Sequence, residues 1–380
     1  MKRIVYLIFL SALMLGACVE EFNAQLPEGE KDILVVDGTI ISDSLCTFYV
    51  SRTQGGVMGS DSFLGEPLAT LKVLGSDGTE WQGKQVRGGE FEVQVGSLLS
   101  DVAYHVEVQV LGFKGLTYTS KPMKALDTPQ IVDSIGLERK NNKFEENVLL
   151  YMSMRGPGNL YYRVSYLQDW EVRAEWNAMV EYDRKTGLVK PVEQSYARGW
   201  KSDHSERPYV FPSGKYEAGY SFPVPLYSVS LTSDHLSYRY CSTICVRSVS
   251  KEEYEYEKIR NQLSNSMGGL FTPQPSQLPT NLTCSDPSVK VIGFVGVSGK
   301  VVKKRFYIST KEVDCLYNEI QGKDCEALTM NDRNTDRPDL MYDWGYRLVS
   351  DNPMLWAPKA CVDIRQPGVS LEKPDWWEDN

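Results

Sequence analysis

Cys18 carries the most specific chemistry in this chain. It follows Leu15 and then Gly16 and Ala17, the small residues a signal peptidase needs before its cut, and a thiol in that place is an acceptor for diacylglycerol. Lys2 and Arg3 make the charged start of the signal, and Ile4 to Leu15 its apolar stretch. That stretch is too short to cross a bilayer, which takes about 20 apolar residues. The expected processing removes residues 1–17 and leaves lipid on Cys18 as the anchor, with residues 18–31 as a tether.

Three further sets of residues have chemistry in their types and spacing. Asp332, Asn334, Asp336 and Asp343 stand at positions one, three, five and twelve of a loop, the oxygen spacing that holds Ca2+. Arg337 occupies the place of the turn-making glycine, Asp339 that of an apolar residue, and Asp343 is shorter than the usual Glu. A solvated polar loop is therefore favoured over calcium. Trp170, Trp176 and Trp200 punctuate a charged, weakly periodic stretch that runs to Pro212. Indoles there are covered either by the domain's own core or by a ligand or partner. The segment has little of the glycine a mobile loop needs, which favours the core, and the binding alternative stays open.

The cysteines form the third set. With Cys18 committed to lipid, Cys46, Cys241, Cys245, Cys284, Cys315, Cys325 and Cys361 remain, an odd number clustered after residue 240. An exported chain meets an oxidising compartment, so disulfides are expected in the C-terminal half, with Cys46 the natural leftover in an apolar strand. Cys241 and Cys245 have metal-pair spacing, but His105, His204 and His235 are the only histidines, a poor supply for zinc.

No Gly-x-Ser-x-Gly elbow, His-Glu-x-x-His helix, phosphate loop or dinucleotide fingerprint occurs, so the expectation is a protein that is not an enzyme. Fifty acidic residues leave a glycosidase-type carboxylate pair as the residual catalytic alternative. Loss of residues 1–17 takes away Lys2 and Arg3 and no acid, which moves the formal charge from −9 to −11. Such a chain is repelled by nucleic acid and by anionic membranes.

The elements that must position these residues read as mainly β. Phe91, Val93 and Val95 alternate with polar neighbours, as do Tyr104, Val106, Val108 and Val110, and Asp37-Gly38, Asp77-Gly78 and Gly88-Gly89 mark turns. Residues 32–125 are expected to form an immunoglobulin-like sandwich of about seven strands. Pro122 to Pro129 marks the boundary, and residues 129–378 make a second β-rich domain with one inserted helix, about residues 250–267. Ser250 and Glu253 form its capping box. Tyr256, Ile259, Leu263 and Met267 supply an apolar stripe expected to dock on the sheet, and Gly268-Gly269 ends it.

The segments from Ser250 to Tyr256, from Gly269 to Pro275, Asn281-Leu282, Val291 to Ser298 and Arg305 to Ile308 resemble domain of unknown function 4249 (DUF4249), a Bacteroidota lipoprotein family. Leu34 to Ile40, Cys361-Val362-Asp363 and Lys373 to Trp377 are similar to it as well. Where the family usually carries a second cysteine after the late one, Ile364 stands, so a short C-terminal disulfide is not expected. The resemblance implies an immunoglobulin-like first domain, an outer-membrane location and a TonB-dependent transporter as partner. No catalytic residue carries over. Glu20 and Glu21 after the lipid site resemble the surface-export signal of that phylum, and Asp43-Ser44-Leu45 and Asp133-Ser134-Ile135 its O-glycan acceptor motif. The expected role is a surface-exposed lipoprotein that helps a transporter capture a nutrient. The alternative is a structural or adhesive surface protein.

Overall fold

The computed structural model describes residues 32–53, 65–111, 115–126, 130–141, 146–155, 160–205, 208–214, 222–265, 278–309, 313, 325–329, 332 and 334–379. Cys18, the signal and the tether lie outside them, as do Cys315 and the side chains of Ser134 and Leu263. The described chain is mainly β. None of its helices is long and apolar enough to cross a membrane.

Its first strands are β1 (Leu34–Ile41), β2 (Leu45–Arg52), β3 (Ala69–Gly75), β4 (Glu80–Gln82), β5 (Lys84–Arg87), β6 (Glu90–Gln94), β7 (Ala103–Val110), β8 (Thr117–Ser120) and β9 (Met123–Lys124). Then come β10 (Gln130–Asn141), β11 (Glu146–Arg155), β12 (Tyr161–Arg173), β13 (Val180–Asp183), β14 (Leu188–Pro191), β15 (Arg198–His204), β16 (Tyr209–Pro212), β17 (Phe222–Ser230) and β18 (Arg239–Val249). Helix α1 (Lys251–Asn265) precedes β19 (Leu282–Cys284), β20 (Val291–Ser298), β21 (Val302–Ser309) and β22 (Leu328–Thr329). Helix α2 (Pro338–Asp343), β23 (Tyr346–Asp351) and β24 (Met354–Pro358) complete the order.

The period-two pattern does what it should. Leu34, Val36 and Ile40 of β1, Cys46, Phe48 and Val50 of β2, and Tyr104, Val106, Val108 and Val110 of β7 all point into one apolar core between two sheets. One sheet runs β20-β1-β2-β6-β5 and the other β19-β8-β7-β3-β4. The sandwich thus takes in two strands from far beyond residue 125. β20 lies parallel to β1 in register from Leu34 opposite Val291 to Ile41 opposite Ser298, and β19 pairs with β8. The reason is the edge: β1 and β8 would otherwise leave rows of unpaired amides. β20 is almost continuously apolar because it is covered on both faces. Gly293 makes the close approach feasible, with φ at 110° and a place where a Cβ would meet the Val36 carbonyl oxygen at 2.2 Å.

A second pair of sheets, β10-β11-β17 and β15-β12-β18-β21, packs around Leu150, Met152, Met154, Tyr162, Ile244 and Tyr240. The C-terminal piece sets β22-β24-β23 and α2 against the β13–β14 hairpin around Trp356, Leu348 and Met341. Helix α1 begins where expected, Ser250 Oγ accepting the Glu253 amide at 3.0 Å. Its docked face takes the start of the apolar stripe, Tyr256, which is buried and stacks on Phe294, together with the buried carboxylates of Glu253 and Glu257, which meet Arg247 and Arg163 of the sheet below. Ile259 is half-buried, and Met267 and the Leu263 side chain lie outside the described residues.

Candidate binding cleft

The tryptophan segment does not stay irregular. Trp170 sits near the end of β12 and Trp200 in β15, and both are 6 % exposed. Trp170 stacks on His235 at 3.8 Å between ring centres, and Trp200 packs with Cys241 and Trp377 under the Arg198 guanidinium. These two indoles are core. Burial against Trp170 also pushes the His235 imidazole below its usual range, against the opposing pull of Asp234 and Asp203. Burial likewise pushes the Cys241 thiol up to about 12, which leaves it an inert small hydrophobe.

Trp176 differs. β12 ends at Arg173, and the chain then crosses to the C-terminal piece, where the Trp176 amide donates to the Cys361 carbonyl at 2.9 Å and its Nε1 to the Cys325 carbonyl at 2.7 Å. Cys325 and Cys361 are themselves joined, closing 36 residues of chain. Closing a loop of that length is worth about 4 kcal/mol, so the wall that holds the indole is a firm one. The disulfide's late partner is the cysteine quoted in the family resemblance; the first partner came from outside any short-range pattern. Cys46, Cys241, Cys245 and Cys284 are free thiols.

Around Trp176 opens a cleft of about 440 Å³. Its walls mix the indole and the disulfide with Arg173, Glu175, Lys201 and Asp234. Lys201 Nζ donates to Asp234 at 2.7 Å, and the Ser237 hydroxyl to the Asp234 carbonyl, also at 2.7 Å. Behind the wall, Glu171, almost fully buried, receives Arg173 Nε at 2.5 Å and Arg198 Nε at 2.6 Å, which locks the ends of β12 and β15 together. Arg198 also reaches Asp379, and with Lys373 it holds that carboxyl down at about 2. A cavity of this size with one flat aromatic surface and charges of both signs suits a small polar ligand. The sequence singled out Trp176 but not its opposite wall, which lies 149 residues away and whose only advance signal was the late cysteines.

The calcium-spaced residues do not converge. Asp332 folds back to accept from the amide and hydroxyl of Thr329, Asn334 takes a left-handed φ of 68°, and Asp343 is clasped by Arg184 Nε at 3.0 Å and Nη2 at 3.1 Å. Asp336 lies in the turn before α2, where residues seven to twelve of the loop have become helix. Among the described residues no three acids, histidines or cysteines come together as a metal group. His105 is half-buried on its strand, with burial pushing it below the usual range, and Ser44 lies in the β1–β2 turn donating to the Ser42 carbonyl at 3.1 Å.

A family model described as domain of unknown function (DUF4249) matches residues 19–304. No curated protein matches the chain. Among solved structures, one described as the complete structure of manganese lipoxygenase of Gaeumannomyces graminis and partial structure of zonadhesin of Komagataella pastoris aligns at 11% identity and a TM-score of 0.17. It covers 74% of this chain and 95% of that one, and a score so low carries no argument.

Proposed function

The chain belongs to the DUF4249 family, and from that premise we propose that it is a lipid-anchored binding protein of the outer-membrane surface, which captures a small polar ligand and presents it to a TonB-dependent transporter. The observation that carries this reading is the cleft at Trp176, where an indole, a disulfide and the Lys201–Asp234 pair face one space. Flat aromatic surface gives such a site its contact area, and the charged pair gives it orientation. The lipid site at Cys18 supports the same reading, because a tethered binder meets a membrane partner at high effective concentration. The Glu20–Glu21 pair supports surface exposure as a receptor-read address, since acidic residues beside anionic lipid have no attraction of their own.

Cell fractionation tests the anchor. Cys18→Ala should move the protein from the membrane to the soluble fraction, and a mutant that stays with the membrane contradicts the reading. Replacing Glu20 and Glu21 by Ala should leave lipidation intact and protect the protein from protease added to whole cells. Unchanged shaving would reduce the pair to a plain tether.

A further inference from the structure

A second cavity, of about 310 Å³, lies between the outer face of the sandwich and α1, away from the disulfide cleft. Three carboxylates and three guanidiniums line it: Asp37, Glu253 and Glu257 with Arg163, Arg247 and Arg260. Several of these are deeply buried, with Arg247 5 %, Glu253 3 % and Glu257 5 % exposed. Arg247 Nη2 donates to Glu253 Oε1 and, at 3.2 Å, to Thr39 Oγ1. Arg163 Nε donates to Glu257 Oε1 at 3.3 Å. The pairing is incomplete: Arg247 Nη1, Glu253 Oε2 and Glu257 Oε2 are buried with no hydrogen-bond partner, although Arg260 Nε stands 3.4 Å from Glu257 Oε2 in ion-pair range. Gly296 makes room for the Glu253 carboxylate, since a Cβ there would fall 2.5 Å from Oε2.

Buried charges left short of partners are costly, and each calls for a partner such as water, an ion or a ligand. Burial and the neighbouring Arg247 both push the Arg163 guanidinium down, so an added negative group between those two arginines would relieve their repulsion. The lining sums to zero charge, so three carboxylates repel a simple anion and three guanidiniums a simple cation. One ligand class meets both demands. We propose that this cavity binds a free α-amino acid with an apolar side chain: its carboxylate accepts from Arg163 and Arg247, its ammonium donates to Glu253 and Glu257, and its side chain points to the mouth at Leu45. Leu45, 57 % exposed, forms the apolar mouth. The volume is at the small end for ligand sites, as a single amino acid requires.

The test is calorimetric titration of the detergent-purified, full-length protein with L-leucine as the probe. The proposal expects saturable binding, weakened about tenfold or more in L-leucinamide, which lacks the carboxylate, and in N-acetyl-L-leucine, which lacks the ammonium. Leu45→Trp, at an exposed strand position where a larger side chain folds without strain, should plug the mouth and weaken L-leucine binding about tenfold with an unchanged melting temperature. Arg163→Gln should do the same to binding. The proposal is overturned by absence of saturable heat up to about 10 mM L-leucine, by equal binding of either capped analogue, or by binding that Leu45→Trp leaves intact.

Discussion

The sandwich core and the seam beneath α1 both bury side chains deeply, and they are built on opposite principles. In the first, Phe48, Val50, Phe91, Val93, Tyr104 and Val106 interdigitate, and each contact is replaceable by any apolar group of similar volume. In the second, Glu253 and Glu257 of α1 meet Arg247 and Arg163 of the sheet below, and no member can be lost without stranding another. Non-directional burial sets the shape of the first domain. Directional charge pairs set how α1 is held over the second.

Breaking that contrast should show first in denaturation. Glu253→Ala leaves Arg247 buried and unpaired and is expected to cost about 3–5 kcal/mol. Phe48→Ala should cost a similar amount by leaving a cavity. The two regions part company in combination: Arg247→Met with Glu253→Met should cost well under the sum of the single changes, whereas Phe48→Ala with the distant Leu150→Ala should add. Additive losses at the seam would contradict the coupled-pair account.

Next comes the difference between the tryptophans. Trp170→Ala removes a core indole and its stacking on His235 and should cost about 3–5 kcal/mol. Trp176→Ala, half-buried in the cleft, should cost clearly less in melting temperature while weakening capture of the transporter complex. A Trp176 variant that melts as early as the Trp170 one, yet binds its partner normally, would remove the cleft from the account.

Gly293→Ala probes the junction between β20 and β1. A positive φ and a Cβ driven into the Val36 carbonyl should cost about 1–3 kcal/mol, read as a lowered unfolding midpoint. The smallest effect is electrostatic. His235 has its folded value below the unfolded value of about 6.5, so the unfolded chain takes up a proton there that the folded chain resists. Its contribution is intact above that pH and is lost as pH falls from about 6.5 toward the folded value. His235→Gln should therefore flatten the fall in stability between about pH 7 and 5, and an unchanged slope would contradict the assignment.

What could be read in advance follows from which forces leave a local pattern. Alternation in β7 and the capping serine of α1 are local, and both were legible. The parallel pairing of β20 with β1 joins residues more than 250 apart, so its near-continuous apolar run looked like any buried strand of the second domain. The docked face of α1 was legible only in part: Tyr256 of the apolar stripe is buried, but Glu253 and Glu257, at equally good helical spacing, are buried beside it and leave no apolar pattern to read. The calcium spacing from Asp332 to Asp343 was real as a pattern, but ion pairing with Arg184 and the turn at Thr329 claim its end carboxylates. Trp176 was named from its surroundings. Its partners across the cleft depend on a disulfide whose connectivity a spacing cannot give.

The central claim is that this chain works beside a transporter. Affinity purification of the lipidated protein in mild detergent, with identification of what accompanies it, tests that claim most directly. The account predicts an outer-membrane transporter in stoichiometric amount, diminished when Trp176 is replaced by alanine. A protein that purifies alone, or with host glycans in place of a transporter, would contradict it.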